Sequence, residues 1–389
     1  MFFFDVVFVF VKFPTTFLPW GELLQATFGW LFFARVLPRR GCFSTQGLDF
    51  AGNPMHSCTM LKTASSSPPA AVELLDIDNL AMANAGFQII DQDLVRLQSK
   101  PLMGRQRIVR LDGCVVVYHS TNLRLRSRPA LPSSFMAYLT FGPQASGTVN
   151  GLPVRNDIML AVPPSASLGI VSEPGYESIA FLLRPEDVSA HLKVRDLEDS
   201  FQLPKEVEAL HVGADLAGSL FAWGKRLVDT ATENQEQFNS SKEQRAAAQA
   251  DLVDTLLTTL SSTRRLEPER RERTRQLQSD IVHAAERRAL AHTDERLYVT
   301  DLCRAAGVSE RSLEYAFRAV MGLSPTAYLT RIRLHRVHHA LLTAKPGTTT
   351  VTEEALNWGF WHFGEFSRAY KDCFDELPSS TLRRTSRTD

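Results

Sequence analysis

The sequence predicts an α+β chain of several domains: a jelly-roll type β region, a helical connector and an all-α C-terminal region. Three observations predict it. Between Phe87 and Leu183, short alternating runs recur about every eight to twelve residues with Gly and Pro between them, the rhythm of an antiparallel barrel or sandwich. From Pro185 onward, apolar residues recur at helical spacings of three and four. Beyond about residue 300, a unit of helix, Gly turn and helix occurs twice.

The β region is read from eight runs: Gln106 to Leu111, Val115 to Ser120, Leu123 to Arg126, Phe135 to Thr140, Gly147 to Val149, Ile158 to Val162, Gly169 to Val171, and Ile179 to Leu183. A jelly roll accommodates them best, and an eight-stranded interior is wide enough to enclose one small molecule. Catalytic chemistry is not indicated. Metal sites on such strands cluster His and Glu, whereas here His119 has only Glu173 and Glu177, far off in a turn-like segment, so no facial triad can be assembled. Ser133, Ser134, Ser165 and Ser167 lie in Pro-rich loops without a nucleophile elbow. No enzyme activity, metal or cofactor is expected.

The connector is read as three helices. Pro185 can start one through Leu192; Val207, Leu210, Leu216, Leu220, Phe221, Leu227 and Val228 mark a second; Gln249, Leu252, Val253, Leu256, Leu257 and Leu260 form an apolar stripe on a third. Such a stripe fits either a core face against the β region or a dimer seam. The charged run from Arg264 to Arg275 reads as a solvated junction, followed by inward-facing Leu277, Ile281, Val282 and Ala285.

The first C-terminal unit has Thr300 as a candidate cap, then Leu302, Ala305 and Ala306, a turn at Gly307, and Ser309 placed to cap a second helix carrying Leu313, Ala316 and Phe317 inward. Its outward side shows Glu310, Arg311, Glu314, Tyr315 and Arg318. The second unit turns at Trp358, Gly359 and Phe360. Its last helix has Phe363, Phe366, Ala369, Tyr370 and Phe374 at core spacing, with His362, Glu365, Ser367, Arg368 and Lys371 opposite. Between the units, Ser324 and Pro325 open a helix to about Ala344. At about 1.5 Å per residue it spans about 30 Å, close to the ~34 Å between successive major-groove faces on one side of B-DNA. Two helix-turn-helix readers that distance apart fit two adjacent grooves.

With these residues in view, the region from about 270 to 385 resembles the DNA-binding domain of the AraC/XylS family of bacterial transcription regulators. The matching residues are GVSERSLEYAF from Gly307, the GLSP turn from Gly322, Arg333 and Leu334, and WGF, FSRAY and ELP in the second unit. The resemblance implies a homeodomain-like tandem reader, a regulator (more often an activator) working as a homodimer with double-stranded DNA and RNA polymerase, and a cupin-like sensor for a small-molecule effector. By position, it puts base-reading residues at Arg311, Glu314 and Tyr315, and at His362, Phe363, Gly364, Ser367 and Arg368. With their outward neighbours Glu310, Ser312, Arg318 and Lys371, these form the expected DNA-contacting set. Three positions depart from the pattern. Glu354 replaces an aliphatic residue, so it must reach solvent or a partner. Asp375 replaces a helix-ending Gly, which Asp can imitate in the left-handed conformation. His338 and His339 replace Arg, which is expected to weaken phosphate contact and make it pH-dependent. With His335 they have a metal-capable spacing, but an exposed face is the expectation.

The expected divisions are 1–72 (atypical extension and linker), 73–184 (sensor), 185–268 (connector and dimerisation) and 269–389 (reader). Net charge is zero, which hides an asymmetry. Residues 264 to 389 hold 21 Lys and Arg against 17 Asp and Glu, so DNA affinity would rest on placed arginines more than on bulk attraction. Five scattered cysteines without a CxxC pair fit a reducing cytoplasm. Residues 1 to 54 carry 12 of the 24 Phe without sustained periodicity. They lack a basic leader and a clean apolar span, so neither signal peptide nor membrane anchor is expected. An upstream start assignment, with Met55 or Met60 as the true start, is the expectation. Residues 62 to 72 (KTASSSPPAAV) read as a disordered linker. A cupin-type enzyme and a ligand-independent DNA binder are the alternative readings of the whole chain.

Overall fold

The computed structural model describes residues 70–77, 91–194, 203–291, 297–345 and 347–385, which belong to one compact unit. The expectations for residues 1–69 lie outside the described residues.

The N-terminal strands are β1 (Val72–Ile77), β2 (Asp91–Arg96), β3 (Gly104–Arg110), β4 (Cys114–Thr121), β5 (Leu125–Ala130), β6 (Met136–Phe141), β7 (Gly147–Val149), β8 (Leu152–Pro153), β9 (Ile158–Val162), β10 (Ile170–Ser172) and β11 (Tyr176–Leu183). Then come α1 (Pro185–Val194), β12 (Glu208–His211), α2 (Ala214–Glu233), α3 (Gln235–Ser240), α4 (Lys242–Ser261) and β13 (Arg264–Arg265). The C-terminal helices are α5 (Arg270–Ala291), α6 (Val299–Ala306), α7 (Glu310–Met321), α8 (Pro325–Thr343), α9 (Val351–Asn357), α10 (Phe363–Phe374) and α11 (Pro378–Thr385).

All strand pairs are antiparallel, in two sheets ordered β1-β3-β4-β11-β6-β9-β12-β13 and β2-β5-β10-β7-β8. Each sheet keeps two edge strands, so of the expected barrel or sandwich the described residues form two packed open sheets and no closed barrel. The period-two rule explains the layering. On β11, Ile179, Phe181 and Leu183 join the core under the connector helices, while Tyr176 and Leu182 join the core between the sheets. β4 divides likewise, with Val116 and Tyr118 on the helix side and Val115 and Val117 on the other. The centre of the larger sheet is therefore a middle layer buried on both faces, and β6 and β9 are buried along their whole length, while β1 and β3 toward one edge alternate buried with exposed residues. Helix α2 lies close to it because Gly224 has no side chain: a Cβ there would meet the Phe181 ring at 2.9 Å.

The connector and the helix after it differ from expectation: Leu216 is 41% exposed, and Leu277, expected to face inward, is 64% exposed. Glu208–His211 is a strand paired with β9, and Arg264–Arg265 pairs with that strand in turn. Runs of four and two residues are too short to show a periodicity, and sheet pairing overrides the helical spacing of Val207 and Leu210. The α4 stripe is core: Leu252, Val253, Leu256, Leu257 and Leu260 are all buried with the larger sheet and α2. Fully burying each such side chain contributes about 1.5–3 kcal/mol.

In the C-terminal region α8 serves two cores. Its first half gives Tyr328, Leu329 and Ile332 to a cluster with Leu302, Leu313 and Phe317, and its second half gives Leu334, Val337 and Leu341 to a cluster with Phe366, Tyr370 and Phe374. The first cluster also includes Val95, Leu97 and Val171 of the N-terminal sheets, so the two regions pack directly. The whole is mixed α/β, with N-terminal sheets and a C-terminal helical domain.

Candidate nucleic-acid interface

In the first unit, α6 ends at Gly307 in the left-handed conformation (φ 66°), a turn that glycine adopts without the Cβ penalty. Thr300 lies inside α6 and does not cap it; Asp301 supplies the cap, its carboxylate accepting from the Tyr298 N–H at 3.0 Å. Ser309 caps α7 as expected, its hydroxyl accepting from the Ser312 N–H at 3.3 Å. Leu313, Ala316 and Phe317 are buried. Glu310, Arg311, Ser312, Tyr315 and Arg318 are exposed, and Glu314 is half-buried. Of these, Ser312 is engaged with the cap, its hydroxyl 3.0 Å from that of Ser309. Glu314 holds Arg318 at 2.7 Å one turn along. Arg311 reaches outward, and Tyr315 is 67% exposed.

The second unit repeats the plan. Thr350 caps α9 by accepting from the Glu353 N–H at 3.1 Å, and Gly359 makes the turn at φ 77°. His362, Phe363, Gly364, Arg368 and Lys371 are exposed and Ser367 is half-buried. Phe363 was placed in the core by its spacing, yet it is 42% exposed. It stands in the first turn of α10, and the core there is already filled by Phe360 against Phe366, ring centroids 5.0 Å apart. Phe363 therefore joins the outward face that the resemblance assigned to it.

Two departures from the family pattern are accommodated as expected. Glu354 is half-buried and accepts from the Thr349 hydroxyl at 2.8 Å; Asp375 ends α10 in the left-handed conformation (φ 61°). The histidines on α8 are the correction. His338 is buried, stacked on Phe374 at 4.1 Å and 3.4 Å from Glu376. His335 accepts from the Arg96 N–H at 3.2 Å. Both follow Leu334, Val337 and Leu341 round the helix onto its core side; His339 stays exposed. Burial, opposed by Glu376, pushes the His338 imidazole down to about 4.

The reader is held on the sheets by a buried ion cluster with no sequence signature. Glu286 of α5, 1% exposed, accepts from Arg126 (2.6 and 3.1 Å) and Arg128 (2.6 Å) of β5 and from the Tyr328 hydroxyl of α8. Burial would raise its pKa, but the two guanidiniums and the hydrogen bonds hold it down at about 2. Arg124 adds a bond to the Val320 carbonyl at the end of α7 (3.4 Å), and Arg331 of α8 donates to the Arg96 carbonyl (3.1 Å).

Between the two sheets lies a cavity of about 90 Å³. Ser127 and Pro129 of β5 line it, alternating along the strand with Arg126 and Arg128. His119 also lines it, its imidazole pushed down to about 4 by burial. Neither Glu173 nor Glu177 lines it with His119: Glu173 pairs with Arg124 at 2.9 Å, and Glu177 accepts from the Tyr118 hydroxyl at 2.6 Å. None of the described helices is long and apolar enough to cross a membrane.

A helix-turn-helix family model matches residues 302–384. Among curated proteins, the "Probable thc operon regulatory protein" of Rhodococcus erythropolis is 41% identical over 93 residues, 24% of this chain and 28% of its own length. The "XylDLEGF operon transcriptional activator 1" of Pseudomonas putida is 39% identical over 83 residues, 21% and 25% of the two chains. Among solved structures, a "probable AraC family transcriptional regulator" from Rhodopseudomonas palustris is 37% identical, covering 27% of this chain and 97% of its own, with TM-score 0.26. This chain thus spans about a quarter of the length of the curated relatives it matches. The tandem units on a shared helix, and the match over residues 302–384 that build them, show a helix-turn-helix domain of the AraC/XylS type at the C-terminal end of this chain.

Proposed function

We propose that the chain is a sequence-specific transcription regulator, an activator in keeping with its relatives, that places α7 and α10 in adjacent major grooves and answers to a small molecule held between the two sheets. The observation that carries this reading is the pair of exposed helix faces at the two ends of α8. That helix has 19 residues, so at about 1.5 Å each it spans about 28 Å, near the ~34 Å repeat of B-DNA. Arg311 and Arg368 are the principal contacts, since a guanidinium pairs bidentately with guanine or phosphate. Tyr315 and Phe363 offer apolar contact, which suits thymine methyl groups. Glu310, Ser312, Glu314, Arg318, His362, Gly364, Ser367 and Lys371 complete the interface. Family resemblance adds a homodimer and RNA polymerase as partners, and reads the paired sheets as a cupin-like sensor.

Strand β5 supports the link between ligand and reader. Its residues 127 and 129 face the cavity while 126 and 128 grip Glu286 and Tyr328, so a ligand that shifts β5 changes the seat of α5 and α8. An effector acts by favouring one of two arrangements for which its affinities differ. The test is selection of genomic fragments by the purified full chain against excess non-specific competitor. A few strongly enriched sites are expected; uniform recovery of all fragments would refute the reading.

A further inference from the structure

The cavity has a polar row and an apolar end, and the row is set by strand register. Gln106 of β3 is paired with His119 of β4, and His119 with Ser178 of β11, so the three side chains stand side by side on one face, about 4.8 Å apart from strand to strand. Tyr176 follows two residues from Ser178 on the same face. Two of these groups carry unmet hydrogen-bonding capacity. The Gln106 Oε1 and the Tyr176 hydroxyl are buried and make no hydrogen bond, in side chains each 2% exposed; the Tyr176 hydroxyl is near Ser178 without bonding it in normal geometry. Leaving such a group unpaired forfeits a hydrogen bond that water would have supplied, so an acceptor and a hydroxyl lining one cavity point to a ligand that completes them. The far end is lined by Leu131, Leu139, Val162, Leu168 and Leu182. Among the described residues none of the lining is Asp, Glu, Lys or Arg. A carboxylate or ammonium would therefore be buried with no ionic partner, which costs several kcal/mol.

We infer that the cavity takes a small uncharged molecule with an apolar body and one hydroxyl or carboxamide head, which donates to Gln106 Oε1 and accepts from the Tyr176 hydroxyl. At about 10–15 Å³ per water-sized occupant, 90 Å³ admits about six to nine non-hydrogen atoms, the size of a monosubstituted benzene. Neutral His119, one ring nitrogen a donor and the other an acceptor, serves a head of either polarity. This inference rests on reading the cavity as the effector site.

The test uses the full chain and two matched probe pairs, phenol against toluene and benzamide against benzoate, by calorimetric titration at pH 7. Phenol is expected to bind about three- to tenfold more tightly than toluene, the worth of about one hydrogen bond, and benzamide at least tenfold more tightly than benzoate. Tyr176→Phe removes a hydroxyl that bonds nothing in the protein, so it should leave folding intact and shrink the phenol preference; Gln106→Met should shrink it independently. Tighter binding of benzoate than benzamide, a phenol preference unchanged in both variants, or no binding of any probe at millimolar concentration would each overturn the inference. DNA affinity is measured in the same preparations. Binding of phenol with unchanged DNA affinity would sustain the ligand class and remove the effector role.

Discussion

Replacing Glu286 by Gln keeps the shape of the side chain and removes its charge, which leaves Arg126 and Arg128 buried without their shared carboxylate. The three carboxylate–guanidinium bonds of 2.6, 2.6 and 3.1 Å and the Tyr328 hydrogen bond would be weakened together. Removing one partner from a buried ion cluster costs about 3–5 kcal/mol. Urea unfolding at pH 7 should show a loss of that size; a loss below about 1 kcal/mol would refute the reasoning. The cluster is not, however, an optimum of stability. Within it the Arg126 Nη1 is buried and makes no hydrogen bond. Joint replacement of Arg126, Arg128 and Glu286 by Met, Met and Leu should therefore recover most of the loss. Acid supplies a second readout. The folded pKa of about 2 lies below the unfolded 4.5, so the contribution of Glu286 is complete above pH 4.5 and lost as pH falls toward 2. Glu286→Gln should flatten that segment of the stability profile.

The turns, the buried histidine and the exposed arginines lead to further outcomes. Gly359→Ala forces a Cβ into φ 77° and should cost about 1–2 kcal/mol, seen as faster amide exchange in α9 and α10; Asp375→Gly, at φ 61°, should instead raise the thermal midpoint slightly. His338 is held neutral, its pKa near 4 against 6.5 when unfolded. The unfolded chain takes up that proton first, so stability should fall as pH drops from 6.5 toward 4, by about 3 kcal/mol at most, and His338→Gln should flatten this segment in thermal melts at graded pH. Arg311→Ala should weaken binding to a selected site by about 1–3 kcal/mol and relax preference at one base pair; an equal loss on every sequence would mark a phosphate contact.

What the sequence disclosed depended on how local the cause was. The tandem units were legible because caps, turns and core spacing lie within a few residues: Ser309, Gly307 and Phe317 stand where their spacing put them, and Ser324 accepts from the Ala327 N–H as the cap ahead of Pro325. Each of the eight runs of the β region overlaps an observed strand for the same reason, although Leu123 and Arg124 lie in the turn before β5. Single short strands such as Glu208–His211 escaped because pairing with β9, some fifty residues earlier, creates them. Phe363 and His338 were misplaced in opposite directions: apolarity suggested core for one and polarity suggested solvent for the other, while the packing of Phe360 and Phe374 decided both. Contacts at the longest range left no trace at all. Nothing within ten residues of Arg126 or Arg128 announces a carboxylate at 286, and the Gln106 register with His119 and Ser178 emerges only once β3, β4 and β11 lie side by side.

The most direct test of a two-groove reader is a hydroxyl-radical footprint of the full chain on a selected site, taken at two salt concentrations. Protection of two segments one helical turn apart, about 10 base pairs centre to centre, with Arg311→Ala clearing one and Arg368→Ala the other, is the expected result. A single protected segment that both variants affect alike would contradict the assignment of α7 and α10 to separate grooves.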